Sequence, residues 1–213
     1  MKVVRLAVGA FQENSYLLID DETGRAVLID PGAEGERLVE LVRRSGAVLD
    51  AIWITHGHVD HVGGIAAVKR VWDVPVYLHA ADRPLYDSAA DHATMFGIPF
   101  DVPPAPDRAL AEGDTLRVGN LAFGVTHMPG HAPGLVVIHG HGVAFVGDLL
   151  FAGSVGRVDL PLADPAAMER SLERVTELPD ETVVYPGHGP ETTIGAERAG
   201  NPFLNGAARV VGG

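Results

Sequence analysis

The amino-acid sequence predicts an α/β (α+β) fold in which two β-sheets pack together and helices cover them on the outside. Of the 213 residues, 46% are hydrophobic, and 26 glycines with 15 prolines indicate many turns around a sizeable core. Both halves of the chain mix short β-rich runs with amphipathic helical segments. The near-continuous apolar run Leu49–Thr55 is typical of a central strand that is buried on both faces.

In the first half of the chain, β-rich runs are separated by turn residues. They predict strands over Lys2–Val8, Ser15–Asp20, Arg25–Asp30, Leu49–Thr55 and Val74–Leu78. Apolar residues at helical spacing predict a helix over Glu34–Ser45, ended by Gly46, and a second helix over Val62–Trp72. The segment Arg83–Asp114 is rich in proline and alanine, and we expect it to form the longest irregular excursion from the core.

The second half of the chain also combines short predicted strands with helices. Strands are predicted over Thr115–Val118, Leu121–Met128, Leu135–His139, Val143–Val146 and Thr182–Tyr185. Asp164 is a suitable N-cap and Pro165 suits the first position of the helix that follows. A short helix is predicted over Thr192–Ala199. No repeat of fixed period appears, and 213 residues are the length of one ordinary domain, so we predict a single domain over residues 1–213.

Charge and residue usage exclude several classes of function. Sixteen basic and 28 acidic residues give a formal net charge of −12, which disfavours nucleic acid as a partner. The chain has no cysteine, which excludes disulfides, thiol nucleophiles and thiolate metal ligands. No apolar run approaches the roughly 18 residues that cross a bilayer. Gln12, Glu13 and Asn14 interrupt the segment where a signal peptide would be apolar. We therefore expect a cytoplasmic protein without a membrane partner.

The most informative segment follows the predicted buried strand and reads Thr55-His56-Gly57-His58-Val59-Asp60-His61. Four side chains able to bind a metal fall within six residues, and Gly57 relieves the backbone between them. We predict that His56 and His58 reach one ion, while Asp60 and His61 turn toward another.

Three more side chains share this setting at the end of an apolar strand. They are His131, Asp148 and His188. Loops at strand ends commonly gather functional groups in α/β proteins. With the first motif, these residues would supply two ions with imidazole and carboxylate donors and no sulfur. Such a donor set suits zinc, iron or manganese.

The order of these landmarks resembles that of the metallo-β-lactamase superfamily. Asp30 in Leu28-Ile29-Asp30-Pro31-Gly32 comes first, followed by the 56–61 motif, His131, Asp148 and His188. The resemblance covers nearly the whole chain. It implies an αββα sandwich, with two mixed β-sheets packed face to face and helices outside.

The resemblance also implies a role for each landmark. One divalent metal would be held by His56, His58 and His131, and a second by Asp60, His61 and His188. Asp148 would bridge the two metals. Asp30 would be a structural residue beside the ligands rather than a ligand.

Within that superfamily, the chain is similar to the hydroxyacylglutathione hydrolases (glyoxalase II). The similarity lies in residues 151–161 (FAGSVGRVDLP), 189–193 (GPETT) and 201–204 (NPFL). True β-lactamases of the superfamily lack a bridging aspartate and many use a cysteine ligand, whereas this chain has Asp148 and no cysteine. Only 25 residues follow His188, so we expect the helical C-terminal region that binds glutathione in full-length glyoxalase II to be absent.

The resemblance implies hydrolysis of a small-molecule thioester, such as S-D-lactoylglutathione, to an acid and a thiol. Two cations roughly 3.5–4 Å apart can share a water and bring its pKa near 7. Asp60 is the predicted catalytic residue, because its carboxylate can accept a hydrogen bond from that water and orient it. We expect two divalent ions, zinc first, with iron or manganese as alternatives.

Other functions stay open at this point. A persulfide dioxygenase resembles the same subgroup and would bind one iron through His56, His131 and Asp148. A lactonase or a phosphodiesterase would use similar ligands. A non-catalytic module would instead close its metal sites with protein ligands.

Two further sets of residues have alternative readings. Arg157 either binds an anionic substrate or pairs with Asp159 or another local acid, and we expect the pairing. Met95, Phe96 and Phe100 either line a substrate pocket or form a local apolar cluster.

Overall fold

The structure, a computed structural model, describes residues 1–210. Its first sheet contains β1 (Lys2–Val8), β2 (Glu13–Asp20), β3 (Arg25–Ile29), β4 (Val48–Trp53), β5 (Val76–His79) and β6 (Arg108–Leu110), in that spatial order. The pairs β1–β2 and β2–β3 are antiparallel, whereas β3 to β6 run parallel, so the sheet is mixed.

The second sheet is also mixed. Its strands are β7 (Thr115–Val118), β8 (Leu121–His127), β9 (Val136–Gly140), β10 (Val143–Gly147), β13 (Val183–Pro186) and β14 (Thr192–Thr193), in the spatial order β14-β13-β10-β9-β8-β7. Only the pair β10–β13 is parallel among residues 1–210 of this sheet. A small hairpin lies between β10 and β13 in sequence, formed by β11 (Leu150–Phe151) and β12 (Ser154–Val155).

Short helices connect the strands. They are α1 (Gly35–Ser45), α2 (Val59–Val62), α3 (Ile65–Val71), α4 (Arg83–Asp87), α5 (Ala89–Phe96), α6 (Pro165–Val175) and α7 (Ile194–Gly200), with a 3-10 turn over Ala80–Asp82. The Asp164 side chain accepts a hydrogen bond from Ala167 N, which confirms the predicted N-cap of α6. No helix in residues 1–210 combines the length and the apolar character that a bilayer span requires.

Alternating side chains of β3 explain the layers of the fold. Leu28 packs in a core with residues of α1 and α3, whereas Ile29, on the opposite face of the strand, packs in a second core with Phe123 and Phe145 of the other sheet. A third core joins the second sheet to α6, where Met168 is fully buried. Helices therefore cover both outer faces of two stacked sheets, and the predicted αββα sandwich is confirmed.

The predicted helix Val62–Trp72 is wrong as a single element. The chain forms α2 and α3 instead, separated at Gly63 and Gly64. Gly64 N donates a hydrogen bond to Pro31 O at 2.7 Å, and a Cβ built on Gly63 would lie 2.5 Å from Gly32 O. The close approach of the turn after β3 therefore leaves no room for a side chain at this break.

The expectation that Arg83–Asp114 is irregular is also wrong in part. The segment contains α4, α5 and β6, and β6 extends the first sheet by pairing with β5. Ala89 and Ala93 of α5 are buried, and Tyr86 Oη donates a hydrogen bond to Pro104 O at 2.7 Å. Helices this short repeat the apolar pattern too few times to be recognised by periodicity. The other predicted helices and strands end within two residues of their observed bounds.

Candidate metal centre

Four segments of the chain meet at one edge of the sandwich, and each carries predicted ligands. The segment after β4 carries His56, His58, Asp60 and His61, the β8–β9 loop carries His131, and Asp148 and His188 follow β10 and β13. Val136 N donates a hydrogen bond to Thr55 O at 2.9 Å, which joins the end of β4 to the second sheet. The fold thereby brings together side chains that are far apart in sequence.

His56, His58 and His131 form the first group of donors. One nitrogen from each ring can be chosen so that all three lie within 4.8 Å of one another. His58 Nδ1 faces His131 Nε2 at 2.8 Å, a separation that a shared proton or a shared cation satisfies. These are the side chains that the family resemblance assigns to one metal.

Asp60, His61 and His188 form the second group, again with donor atoms within 4.8 Å of one another. His188 Nε2 lies 3.3 Å from Asp60 Oδ2. Asp148 lies between the groups: its oxygens are 3.4 Å from His61 Nε2 and 3.5 Å from Nε2 of both His131 and His188. Its position is therefore compatible with the predicted bridge.

Asp30 also lies near His56 and His61, but both of its oxygens are engaged. Oδ1 accepts a hydrogen bond from Thr55 N at 2.7 Å, and Oδ2 accepts one from Thr55 Oγ1 at 2.5 Å. Oδ2 also lies 3.0 Å from His61 Nδ1. This geometry suits a residue that positions the His61 ring.

Four histidines are oriented by oxygen acceptors at Nδ1. The pairs are His56 with Thr55 Oγ1 (3.2 Å), His61 with Asp30 Oδ2 (3.0 Å), His131 with Arg157 O (2.7 Å) and His188 with Phe11 O (3.1 Å). A ring that donates through Nδ1 presents the lone pair of Nε2 to the centre. His58 has the opposite arrangement, with Nδ1 toward His131.

The donor atoms fit a divalent metal. His56 Nε2, His61 Nε2 and Asp148 Oδ1 are buried and have no hydrogen-bond partner among the described residues. Buried polar atoms are almost always partnered, so these three atoms, which come from the two donor groups and from the carboxylate between them, fit bound cations. Imidazole and carboxylate donors without sulfur suit zinc, iron or manganese.

Electrostatics favour neutral rings in the first group. Burial lowers the pKa of His56 well below its ordinary value. Burial, reinforced by the neighbouring His131, lowers the pKa of His58 to about 3. Burial also lowers the pKa of His131. A neutral imidazole is the form that binds a metal.

The second group has the opposite tendency, because carboxylates surround it. Burial lowers the pKa of His61, but the nearby carboxylate of Asp148 and the hydrogen bond to Asp30 outweigh burial and leave that pKa well above its ordinary value. Burial likewise lowers the pKa of His188, but its hydrogen bond to Asp60 outweighs burial and raises that pKa above its ordinary value. Burial would raise the pKa of Asp148, yet His61 and neighbouring rings hold it below its usual range.

Comparison with known proteins assigns the family. The profile of the metallo-beta-lactamase superfamily matches residues 8–188, most of the chain. The chain belongs to the metallo-beta-lactamase superfamily. Membership and the clustered donors together identify a hydrolase fold with a centre for divalent metals.

Relatives in the superfamily cover this chain almost end to end. Hydroxyacylglutathione hydrolase GloC of Haemophilus influenzae is 38% identical over 210 residues, which are 96% of this chain and 99% of that protein. The crystal structure of TTHA1623 in a di-iron-bound form is 48% identical, with a TM-score of 0.87 over 94% of this chain and 100% of that chain. ETHE1 from Myxococcus xanthus is 29% identical, with a TM-score of 0.81 over 97% of this chain and 85% of that chain.

Sequence reasoning missed a buried carboxylate that ties two ligand-bearing loops of this superfamily member together. Asp82 Oδ2 accepts a hydrogen bond from Gly57 N at 2.7 Å, and Oδ1 accepts one from Gly134 N at 2.5 Å. A Cβ on Gly57 would lie 2.8 Å from Asp82 O, so the backbone approaches closely here. Asp82 follows β5, and its place after a parallel strand was the signal that could have found it.

Glu13 was also missed. Its side chain is fully buried, with Oε2 accepting a hydrogen bond from Ser15 Oγ at 3.0 Å and Oε1 3.8 Å from His61 Nδ1. Burial raises its pKa well above the ordinary value. A Cβ on Gly32 would lie 2.3 Å from Glu13 Oε2, so this carboxyl group is enclosed beside the second group of donors.

Arg157 follows its expected pairing. Its Nε and Nη2 donate to Asp159 Oδ1 and Oδ2 at 2.6 and 2.7 Å. Its carbonyl oxygen accepts the hydrogen bond of His131. Arg157 therefore contributes to the centre through its backbone.

Proposed function

We propose that this protein is a dinuclear metal-dependent hydrolase of acyl thioesters, similar to glyoxalase II, which works in the cytoplasm. The position of Asp148 carries the proposal, because this buried carboxylate contacts histidines of both donor groups. The similarity to GloC of Haemophilus influenzae supports a thioester such as S-D-lactoylglutathione as substrate.

We assign His56, His58 and His131 to one metal, Asp60, His61 and His188 to the other, and Asp148 to both. When bound, divalent cations supply Lewis acidity for the acyl carbonyl and lower the pKa of water. Zinc is our first assignment. The di-iron form of TTHA1623 supports iron as the alternative.

The protein's own part in hydrolysis falls to Asp60. Its side chain is partly exposed and its Oδ2 pairs with His188 Nε2 at 3.3 Å, which leaves carboxylate lone pairs free to accept a hydrogen bond from the attacking water. A C–O bond forms from that water to the acyl carbon, and the C–S bond breaks. Sulfur leaves as a thiolate, which is a good enough leaving group to need no dedicated proton donor. One water proton is released as the water is activated for attack and the second as the product acid ionises. The thiolate takes up a proton from solvent, so the net products are a carboxylate, a thiol and one proton.

Elemental analysis of protein purified without added metal, followed by turnover of S-D-lactoylglutathione, tests this function. We expect two divalent ions per chain and hydrolysis that stops when a chelator removes them. Asp148→Ala should lose metal and turnover while the fold persists. Asp73→Ala, which removes an exposed carboxylate of a surface ion pair with Lys69, is the matched control.

Three outcomes would contradict the proposal. Full metal content and a normal rate in Asp148→Ala would remove the bridging role. Turnover that survives complete metal removal would remove the metal from the reaction. One iron per chain, with oxygen uptake on glutathione persulfide and no thioester hydrolysis, would identify a persulfide dioxygenase.

The extent of the domain is part of the proposal as well. Strands β2, β3 and β4 face the first core on one side and, on the other, the second core that they share with the second sheet, so one continuous strand layer joins both cores. This supports a single domain over residues 1–213. Limited proteolysis that released a stable half of the chain would contradict it.

A further inference from the structure

A cavity of about 200 Å³ lies beside the Asp60 side of the centre. The β1–β2 turn forms one wall with Phe11, and the turn before α1 contributes Ala33. Val59 lies on the side of the ligand motif, and Phe100 closes the cavity from the segment after α5. Four separate parts of the chain therefore enclose it.

The cavity and the centre form one continuous site. Asp60 lines the cavity and also pairs with His188. His188 in turn donates a hydrogen bond through Nδ1 to Phe11 O at 3.1 Å, so the same residue holds a predicted ligand with its backbone and a cavity wall with its ring. A molecule whose reacting carbonyl lies at Asp60 has this cavity as its neighbour.

The chemistry of the walls favours an apolar occupant. Phe11, Phe100, Ile98 and Val59 line the cavity, and the remaining uncharged lining residues are glycine, alanine, valine and proline. Among residues 1–210, the charged side chains of the lining are carboxylates, and none is lysine or arginine. Glu34 is turned to other partners, because its Oε2 accepts a hydrogen bond from Gly9 N at 3.0 Å and pairs with Arg37. An anionic group would therefore be repelled here.

Aromatic rings also mark the entrance. Phe11 is 41% exposed and Phe96 is 57% exposed, and their ring centroids lie 5.4 Å apart, edge to face. Clustered exposed apolar rings beside a cavity are typical of a surface that a ligand covers. Phe100 thus lines this pocket and Phe96 contacts it through Phe11, whereas Met95 is absent from its lining and 80% exposed.

We propose that this cavity binds the acyl group of the substrate, and that this group is aromatic or branched and apolar rather than a small hydroxyacyl group. The inference rests on the proposed thioesterase function. A cavity of about 150 Å³ holds benzene in another protein, so this one has room for about one phenyl ring and its methylene. A thiol carrier such as glutathione, larger and doubly carboxylated, fits neither the volume nor the charge and stays outside.

Competing thioesters of one thiol test the proposal. We would compare kcat/KM of the metal-loaded enzyme for S-phenylacetylglutathione and S-D-lactoylglutathione, each divided by its rate of hydrolysis by hydroxide. Burial of the ring predicts a preference of about 10–100-fold for phenylacetyl. Phe11→Ala should reduce this ratio about tenfold, since it removes one wall without altering the backbone acceptor of His188. Ala33→Leu, which narrows the cavity, should reduce it as well.

The control is Val102→Ala, which shortens an exposed apolar side chain of the same segment outside the lining and should leave the ratio unchanged.

A second measurement is independent of turnover. Calorimetry should show tighter binding of phenylacetate than of acetate to wild type, and this difference should be lost in Phe11→Ala. A ratio of one or less in wild type, or equal binding of the two acids, would overturn the acyl pocket. If neither thioester is hydrolysed, the proposed function fails, and a calorimetric difference that depends on Phe11 still supports an apolar ligand in this cavity.

Discussion

Replacement of Asp82 tests whether one buried carboxylate holds two ligand-bearing loops in place. The Asp82 carboxylate accepts hydrogen bonds from Gly57 N and Gly134 N and is fully buried. Asp82→Ala leaves both N–H groups without an acceptor, and each such buried group costs about 1–3 kcal/mol. We therefore expect Asp82→Ala to lower the free energy of unfolding by about 2–6 kcal/mol. Asp82→Asn keeps one acceptor oxygen and should cost about half as much.

The same carboxylate predicts a pH dependence. Burial raises the pKa of Asp82 from 3.8 to about 6, against the effect of its two amide donors. An acid whose pKa is raised on folding contributes stability that is fully present below its unfolded pKa and is lost as pH rises through the folded pKa. The loss is about 3 kcal/mol in total, of which roughly 1 kcal/mol falls between pH 5 and pH 7. Asp82→Asn does not titrate and has no such loss. The difference in the free energy of unfolding between wild type and Asp82→Asn should therefore shrink by roughly 1 kcal/mol from pH 5 to pH 7.

Urea unfolding of the metal-free protein at pH 5, 6 and 7, followed by circular dichroism, measures both effects. Asp73→Asn is the matched control, because its exposed carboxylate should produce no change in this difference. A variant Asp82→Asn as stable as wild type at every pH would refute the clamp. A deficit that grows from pH 5 to pH 7 would refute the sign of the pKa shift.

Three other changes probe the surroundings of the centre. Asp30→Asn keeps a residue that tolerates the left-handed backbone at φ 47° but removes one acceptor beside His61. A chelator competition should therefore show metal affinity lowered about 10–100-fold. Unchanged affinity would contradict the positioning role of Asp30. Burial raises the pKa of Glu13, so the neutral Glu13→Gln should change the free energy of unfolding by less than about 1 kcal/mol, while Glu13→Ala should cost about 2 kcal/mol. Equal losses in urea unfolding would contradict a protonated Glu13. Gly187→Ala places a Cβ 2.1 Å from Asp148 Oδ1 and 2.7 Å from His61 Cε1, so elemental analysis should find less than full metal content. The control is Gly200→Ala, where a Cβ meets no described atom within 4 Å and full metal content should be retained.

Much of the centre could be predicted because its signals are local. His56, His58, Asp60 and His61 fall within one short segment, and His131, Asp148 and His188 each follow an apolar strand. Strand ends converge in a sandwich, so residues at these ends become neighbours without any knowledge of the exact register. The same reasoning predicted both sheets and the N-cap of α6.

The missed features depend on contacts between distant segments. Glu13 is an ordinary polar residue in sequence and becomes a buried acid only when the turn at Gly32 closes over it. Asp82 gains its role only when Gly134, 52 positions later, donates to it. The break at Gly63 likewise follows from an approach of Gly32 that no local pattern records.

The orientation of the histidines explains why the metal centre and the fold depend on each other. His61 is aimed by Asp30 beyond β3, His131 by the carbonyl of Arg157 beyond β12, and His188 by the carbonyl of Phe11 before β2. A local opening of any of these segments releases a ring from its acceptor and misdirects its Nε2. Metal binding to the aligned donors opposes such opening, since a ligand that binds only the folded form stabilises it in proportion to RT ln(1 + [L]/Kd). The segments that aim the ligands are turns and loops rather than core strands, so the bound metal stabilises the parts of the sandwich that its three apolar cores leave least supported.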